Sequence, residues 1–182
     1  MRDTLVVARD LLGRILVVDS PEGRTAVRIV ETEAYLHDDP ACHASRGRTK
    51  RNATMFERGG CAYVYFTYGM HFALNFVTGP REVGEAVLIR AGVPVVGIHL
   101  MRERRGDVPD HRLCAGPGNL TRAMGLSIAD DGAALTGRRM RVLTGTPVSD
   151  EMVVATTRIG ITQATEMPWR FYVRDNPCVS RR

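Results

Sequence analysis

The chain has 182 residues, of which 44% are hydrophobic and 25% charged, so a disordered chain is excluded and one folded domain over residues 1–182 is expected. The formal net charge of +5 favours a polyanionic partner such as nucleic acid without establishing one. No signal peptide is recognised, and no apolar run approaches the roughly 18 residues that span a bilayer. We therefore expect a cytoplasmic protein without a membrane partner. The four cysteines lack metal-ligand spacing and predict free thiols.

The first third of the chain predicts a helix followed by a β-hairpin. A helix is expected over residues 4–13, capped by Asp3 or Thr4, and strands over 15–19 and 25–35 flank a turn.

The second of these strands ends in the sequence R-I-V-E-T-E-A-Y (28–35). With a period of two, one face is predicted to carry Val27, Ile29, Glu31, Glu33 and Tyr35. Ionised carboxylates on a buried face are costly unless they are paired or used in chemistry. The pattern therefore predicts a basic or reactive partner opposite the two glutamates, and the simplest role for Glu31 is a structural salt bridge.

A polar connection over residues 36–52 carries one histidine and a cluster of cations. The cluster is either a solvated loop or a strip that contacts phosphates, since each cation on DNA releases condensed counterions. The residues are His43, Arg46, Arg48, Lys50 and Arg51.

Residues 61–77 predict two antiparallel strands around a turn at Tyr68 and Gly69. Tyr68 lies near the tip, where an aromatic ring is either an exposed or partner-contacting side chain or a wedge. One face of the hairpin is apolar, with Val64, Phe66, Phe72, Leu74 and Phe76; the other carries Tyr63, Tyr65, Thr67, His71, Ala73 and Asn75.

The rest of the chain predicts one more buried strand, two helices and three shorter segments. The strand over 85–91 carries Arg90, which pairs with any nearby acid or, more specifically, faces Glu33. Helices are expected over 94–105 and, after a glycine-rich turn at 114–119, over 120–124; strands or short helices are expected over 140–143 and 153–161, and a late strand over 169–173.

Serine-hydrolase, H-E-x-x-H and zinc-deaminase motifs are absent from the sequence. A buried acid, an arginine, a ring-lined face and a basic surface remain. They suit a hydrolysis in which a carboxylate deprotonates water beside a flat, stacked substrate.

Six segments resemble the alkyladenine (3-methyladenine) DNA glycosylase family, the animal-type fold also found in bacteria. The resemblance runs in order through nearly the whole chain, and the first and third segments are highly specific. They are R-I-V-E-T-E-A-Y (28–35), R-N-A-T-M-F (51–56), Y-V-Y-F-T-Y-G-M-H-F-A-L-N (63–75), V-L-I-R-A (87–91), L-C-A-G-P-G-N-L (113–120) and R-F-Y-V-R (170–174).

The resemblance implies an α+β fold, a single compact domain with a curved antiparallel sheet, surrounding helices and a protruding hairpin that inserts into DNA. Tyr68 then fills the gap left by a flipped nucleotide. Glu33 matches the general base for the attacking water, Arg90 helps to hold that water, and the carbonyl of Ile159 is a third ligand to it.

The same resemblance assigns a base-binding pocket and phosphate contacts. The extruded base stacks among Tyr35, His43 and Tyr65, and Asn75 collides with the amino group of guanine. His71 and Ala73 replace a larger aromatic and a cysteine, which predicts a roomier pocket floor. Phosphate contacts are expected from Arg46, Arg48, Lys50, Arg51, Gly118 and Asn119, the last in place of a lysine.

The implied activity is removal of alkylated or deaminated purines from double-stranded DNA, by a monomer without cofactor or metal. Lys50 is the only lysine, so strand cleavage through a Schiff base is not expected. Two alternatives remain open: a non-catalytic protein that binds damaged DNA, and a hydrolase of small nucleosides.

Overall fold

The computed structural model describes residues 2–67, 69 and 71–181, which form one curved antiparallel sheet with three α-helices. This confirms the predicted α+β class. The helices are α1 Thr4–Asp10, α2 Ile98–Arg105 and α3 Pro117–Met124. The strands are β1 Ile15–Ser20, β2 Gly23–Tyr35, β3 Ala62–Thr67, β4 His71–Val77, β5 Ala86–Val96, β6 Met140–Leu143, β7 Val153–Thr156 and β8 Arg170–Val173.

The long strand β2 organises the sheet, whose order is β3-β4-β5-β2-β1-β6. Residues 23–28 of β2 pair with β1, whereas residues 31–33 pair with β8, which also pairs with β7. The end of β2 is therefore held between β5 and β8, where Glu31 and Glu33 lie.

The helices cover one side of the sheet and enclose the main hydrophobic core. Ala8 of α1, Met101 of α2 and Leu120 of α3 are fully buried there. Of the two predicted caps of α1, Asp3 is the one used, because its side chain accepts the Val6 N–H at 3.0 Å.

The prediction that Val27 and Ile29 share one face of β2 with Glu31 is wrong, because both β2 and β5 are irregular where they pair. The register shifts on either side of Glu31, so that Val30 on β2 and Arg90 on β5 are extra residues. Val27 and Ile29 belong to the main core, but Val30 packs into a separate cluster with Ala91. The side chains of residues 30 and 31 thus lie on the same side of the sheet, and Glu31 faces away from the helices.

Several predicted boundaries also need correction. The expected helix over 94–105 begins only at Ile98, because the β-branched run before it continues β5 and pairs with β2 as far as Val96. α3 begins at Pro117, inside the predicted turn, because proline suits the first helical turn. The segment over 153–161, expected as a strand or short helix, is a strand only as far as Thr156, and α1 ends at Asp10 rather than at 13.

The predicted hairpin is present, with Tyr63 opposite Asn75 and Thr67 opposite His71. Tyr68 lies outside the residues that the structure describes. Phe66 was expected on the apolar face but is 47% exposed, because it lies near the end of the hairpin; its ring packs against Phe72, with centroids 5.4 Å apart.

Within the described residues, none of the helices has the length and apolar character needed to cross a membrane.

Candidate active site

Glu33 is a fully buried carboxylate that accepts two hydrogen bonds and forms one ion pair. The Ile159 N–H lies 2.8 Å from Oε1, and the Tyr35 hydroxyl and Arg90 Nη1 lie 2.9 and 3.2 Å from Oε2. All three residues also line one cavity of the described structure. Two hydrogen bonds and one ion pair therefore stabilise its negative charge.

Two of these contacts are reflected in pKa values. Burial, reinforced by the negative charge of Glu33, raises the pKa of the Tyr35 phenol well above its ordinary 10.0. Burial alone would lower the pKa of Arg90, but Glu33 and Glu31 outweigh that effect and raise it. Tyr35 therefore stays protonated and donates its hydrogen bond, and Arg90 stays cationic.

Glu31 supports Arg90 from behind, in agreement with its predicted structural role. It is also fully buried, and its Oε1 accepts Arg90 Nε at 3.1 Å and Arg170 Nε at 2.8 Å. Ser180 donates its N–H and its hydroxyl to the same carboxylate at 2.7 and 2.9 Å. Arg90 is therefore fixed between two carboxylates, and the segment near the C-terminus closes this cluster.

The cavity above Glu33 has a volume of about 490 Å³, within the range of small-ligand pockets. Tyr35, His43 and Tyr65, the residues expected to stack the base, line it together with Tyr63 and Asn75. The His43 and Tyr65 rings meet edge to face, with centroids 4.5 Å apart. Asn75 Nδ2 donates to the Tyr63 carbonyl at 3.2 Å, which fixes the amide in the pocket wall.

His43 lies at the rim, where the residue is exposed but its ring packs against neighbouring tyrosines. Its Nδ1 lies 3.1 Å from the Tyr63 hydroxyl, and either atom can be the donor. Partial burial, followed by repulsion from Arg51, lowers the pKa of His43 below 6.5. The imidazole is therefore neutral at pH 7 and can donate one hydrogen bond.

We expect Arg51→Gln to raise the pKa of His43 part of the way back toward 6.5, because burial, the larger cause, remains. An NMR titration of the His43 ring protons would measure this. Because folding disfavours protonation of His43, the neutral ring makes its full contribution to the free energy of unfolding above pH 6.5. That contribution is lost as pH falls through the pKa of His43 in the folded state. An unchanged His43 titration in the variant would contradict the repulsion from Arg51.

The predicted cationic strip is divided between the cavity rim and a surface ion-pair network. Arg46 and Arg51 line the cavity, and Arg51 Nη2 donates to the Phe66 carbonyl at 2.9 Å. Lys50 is exposed. Arg48 differs from these, because its guanidinium is paired with Glu57 and Glu82 at 3.3 and 3.0 Å, which offsets its charge.

The remaining predicted residues lie near one another on β4 and α3. Asn119 Nδ2 donates to the Ala115 carbonyl at 2.7 Å. A Cβ on Gly118 would lie 3.0 Å from the His71 ring, so glycine allows α3 to approach the hairpin closely. Ala73 is buried opposite Tyr65 in the strand register, and it is not among the described residues that line the cavity.

Sequence reasoning missed Asp39 and Arg158, which form a fully buried ion pair beside the site. Arg158 lies next to Ile159 in the chain and stacks on Tyr35, with Cζ 4.7 Å from the ring centroid. The only signal in the sequence was an arginine directly before Ile159. No cluster of three histidine, cysteine, aspartate or glutamate residues suited to a metal ion occurs in the described residues. All four cysteines are free, as predicted.

The chain was compared with known families and curated proteins. Residues 1–177 match the family model described as methylpurine-DNA glycosylase. A relative from Carboxydothermus hydrogenoformans is 48% identical over all of this chain and 95% of its own length, and one from Methanoculleus marisnigri is 49% identical over the same shares. A relative from Rubrobacter xylanophilus is 50% identical over 90% of this chain and 85% of its own length. All three bear the name "Putative 3-methyladenine DNA glycosylase".

Proposed function

This chain belongs to the methylpurine-DNA glycosylase family, and from that premise we propose that it hydrolyses the N-glycosidic bond of damaged purines in duplex DNA. The observation that carries the proposal is the buried Glu33 carboxylate beneath a cavity lined by aromatic rings. The substrates are alkylated or deaminated purines of the 3-methyladenine, 7-methylguanine, hypoxanthine and ethenoadenine class, and the product is an abasic site.

The purine reaches the cavity by rotating out of the helix. Extrusion costs a few kcal/mol and is least costly for damaged or poorly paired bases, which already provides selectivity. Tyr68, which lies outside the described residues, fills the resulting gap and recovers part of the lost stacking. The flipped base then stacks among Tyr35, His43 and Tyr65, which line the cavity.

Glu33 serves two needs of the reaction. Breaking the glycosidic bond develops positive charge on the sugar, and a carboxylate held in its ionised form stabilises that charge. The same group accepts the proton of the attacking water. Arg90 and the Ile159 main chain, both at the cavity wall, position that water.

Selectivity among bases follows from charge and from pocket shape. Alkylation at N3 or N7 makes the purine cationic, so it stacks strongly on electron-rich rings and leaves easily. Hypoxanthine and ethenoadenine are neutral and need a hydrogen bond, which the neutral His43 imidazole donates at the rim. Asn75, fixed by its bond to the Tyr63 carbonyl, collides with the amino group of guanine and so excludes normal guanine. 7-Methylguanine carries the same amino group, but its cationic base leaves readily enough to be released.

The reaction stops at the abasic site. Strand cleavage needs an amine that attacks the sugar. Of the described residues that line the cavity, none is a lysine, and Lys50, the only lysine of the chain, is an exposed loop residue.

The test is single-turnover cleavage of duplex oligonucleotides that each contain one hypoxanthine, ethenoadenine or 7-methylguanine, analysed with and without hot alkali. We expect base release from each lesion, with strand breaks only after alkali and no covalent product trapped by borohydride. Tight binding without release would identify a non-catalytic damage-binding protein instead. Cleavage of free nucleosides but not of duplexes would identify a nucleoside hydrolase, and strand breaks without alkali would contradict the monofunctional assignment.

A further inference from the structure

We propose that Arg158 is a positioning residue that fixes the Tyr35 ring and the Ile159 main chain around Glu33. The inference rests on the proposed function, since these are the groups that would hold the base and the water. Arg158 makes no contact with the cavity itself; its side chain is completely buried behind the wall. It therefore acts through its neighbours.

The first contact that carries the proposal is the placement of one guanidinium over two aromatic rings. Arg158 Cζ lies 4.7 Å from the Tyr35 centroid and 5.0 Å from that of Trp169. A cation over an aromatic face is held by the ring quadrupole, more strongly where water is excluded. Arg158 thus occupies one face of Tyr35 and leaves the rest of the ring to the cavity that Tyr35 lines.

The second set of contacts links three separate segments of the pocket wall. Arg158 Nη1 donates to the Ala34 carbonyl at 3.0 Å, between Glu33 and Tyr35 in β2. Nη2 donates to the Ala164 carbonyl at 3.4 Å and so closes the loop that contains Ile159. Both terminal nitrogens also bind Asp39, with Nη2 3.0 Å from Oδ1.

Asp39 extends the link to the segment that carries the rim histidine. Its Oδ1 also accepts the Ala41 N–H at 3.0 Å, and its carbonyl accepts the Cys42 N–H at 2.9 Å. The turn leading to His43 is therefore ordered by the same carboxylate that binds Arg158. One guanidinium thus connects β2, the turn before His43 and the loop of Ile159.

The geometry requires arginine and not merely a positive charge. A planar guanidinium stacks on aromatic rings while donating from both terminal nitrogens, whereas an ammonium is a compact, strongly hydrated charge. Arg158 Nε is buried without a hydrogen-bond partner among the described residues. The Arg158 guanidinium is therefore held by its contacts with the two rings and by four oxygen acceptors. These contacts hold it in place although its Nε–H has no acceptor among the described residues.

The variant that tests this is Arg158→Lys, which keeps a cation beside Asp39 and loses the planar stack. We expect the single-turnover rate of hypoxanthine release to fall by about 10- to 100-fold, because small displacements of reacting groups have effects of that size. Affinity for the same duplex should stay within about twofold, since the phosphate contacts that dominate affinity are intact. The rate is measured well below the melting temperature of the variant.

Amide hydrogen exchange supplies a readout that does not depend on activity. The Ile159 N–H, bonded to Glu33 at 2.8 Å, should exchange about tenfold faster or more in Arg158→Lys. The matched control is Arg139→Lys, which loses a comparable set of bonds, to Asp130 at 2.6 Å and the Gly125 carbonyl at 2.8 Å, away from the cavity. Both variants should lose stability, but the control should keep the wild-type rate and Ile159 exchange.

The outcomes separate this inference from the proposed function. A wild-type rate in Arg158→Lys, or a loss of rate equal to that of the control, would overturn the positioning role. If the wild-type protein released no damaged base, the proposed function would fail. Hydrogen exchange of the Ile159 N–H would still test whether Arg158 positions the Ile159 main chain. Faster exchange of the Ile159 N–H in Arg158→Lys, but not in Arg139→Lys, would then support the positioning role of Arg158, and unchanged exchange would overturn it.

Discussion

Glu33→Gln is expected to slow the single-turnover release of hypoxanthine from duplex DNA by about 10²–10⁴-fold, the usual contribution of a general base. Glutamine has nearly the same shape, but it neither accepts the proton of water nor stabilises positive charge on the sugar. Binding to the damaged duplex should be retained. The loss should be smaller for 7-methylguanine, whose cationic base leaves with less assistance. Quenched time courses with enzyme in excess would measure both rates.

Glu31→Gln is the matched control for this variant. Both glutamates are fully buried near the end of β2, and both bind Arg90, but Glu31 bonds to Arg170 and Ser180 where Glu33 bonds to Tyr35 and Ile159. We expect Glu31→Gln to lower stability and to retain most of the rate. Equal losses in the two variants would show that the total buried charge matters rather than a base at Glu33, and full activity of Glu33→Gln would remove the proposed mechanism.

The sequence predicted those parts of the site that depend on local pattern or on family motifs. The hairpin of β3 and β4 followed from strand periodicity, and Tyr63 and Asn75 do face each other across it. The predicted contact between Glu33 and Arg90 is present at 3.2 Å, because these residues lie on strands that pair directly.

The parts that the sequence did not predict depend on partners distant in the chain. The irregular residues Val30 and Arg90 arise from the pairing of β2 with β5, and strict alternation along β2 alone cannot reveal them. Arg158 and Asp39 are 119 residues apart, so neither residue's surroundings in the sequence indicated a buried pair. In the same way, the partners of Arg48 come from two other loops, and only the structure distinguishes it from Arg46.

Arg90→Met is expected to lower the free energy of unfolding by about 3–5 kcal/mol, the usual cost of breaking a buried ion pair from one side. The cluster contains two buried glutamates, Glu31 and Glu33, and two buried arginines, Arg90 and Arg170. Its charges are therefore balanced, and removing Arg90 leaves one buried carboxylate in excess. Urea denaturation followed by circular dichroism would measure the change.

Combining Arg90→Met with Glu31→Gln restores that balance, because one charge of each sign is removed. The double variant should therefore be more stable than the sum of the two single losses predicts, by about 0.5–3 kcal/mol, the range for residues in direct contact. Arg102→Met is the control for Arg90→Met. Arg102 pairs with Asp110 on an exposed surface, where such pairs contribute no more than about 1 kcal/mol, so its loss of stability should be no larger than that. Strict additivity of the two buried changes would mean that Glu31 and Arg90 are stabilised independently. The close approach of Arg90 to Glu33 would then have to be explained by the needs of catalysis rather than by charge balance within the fold.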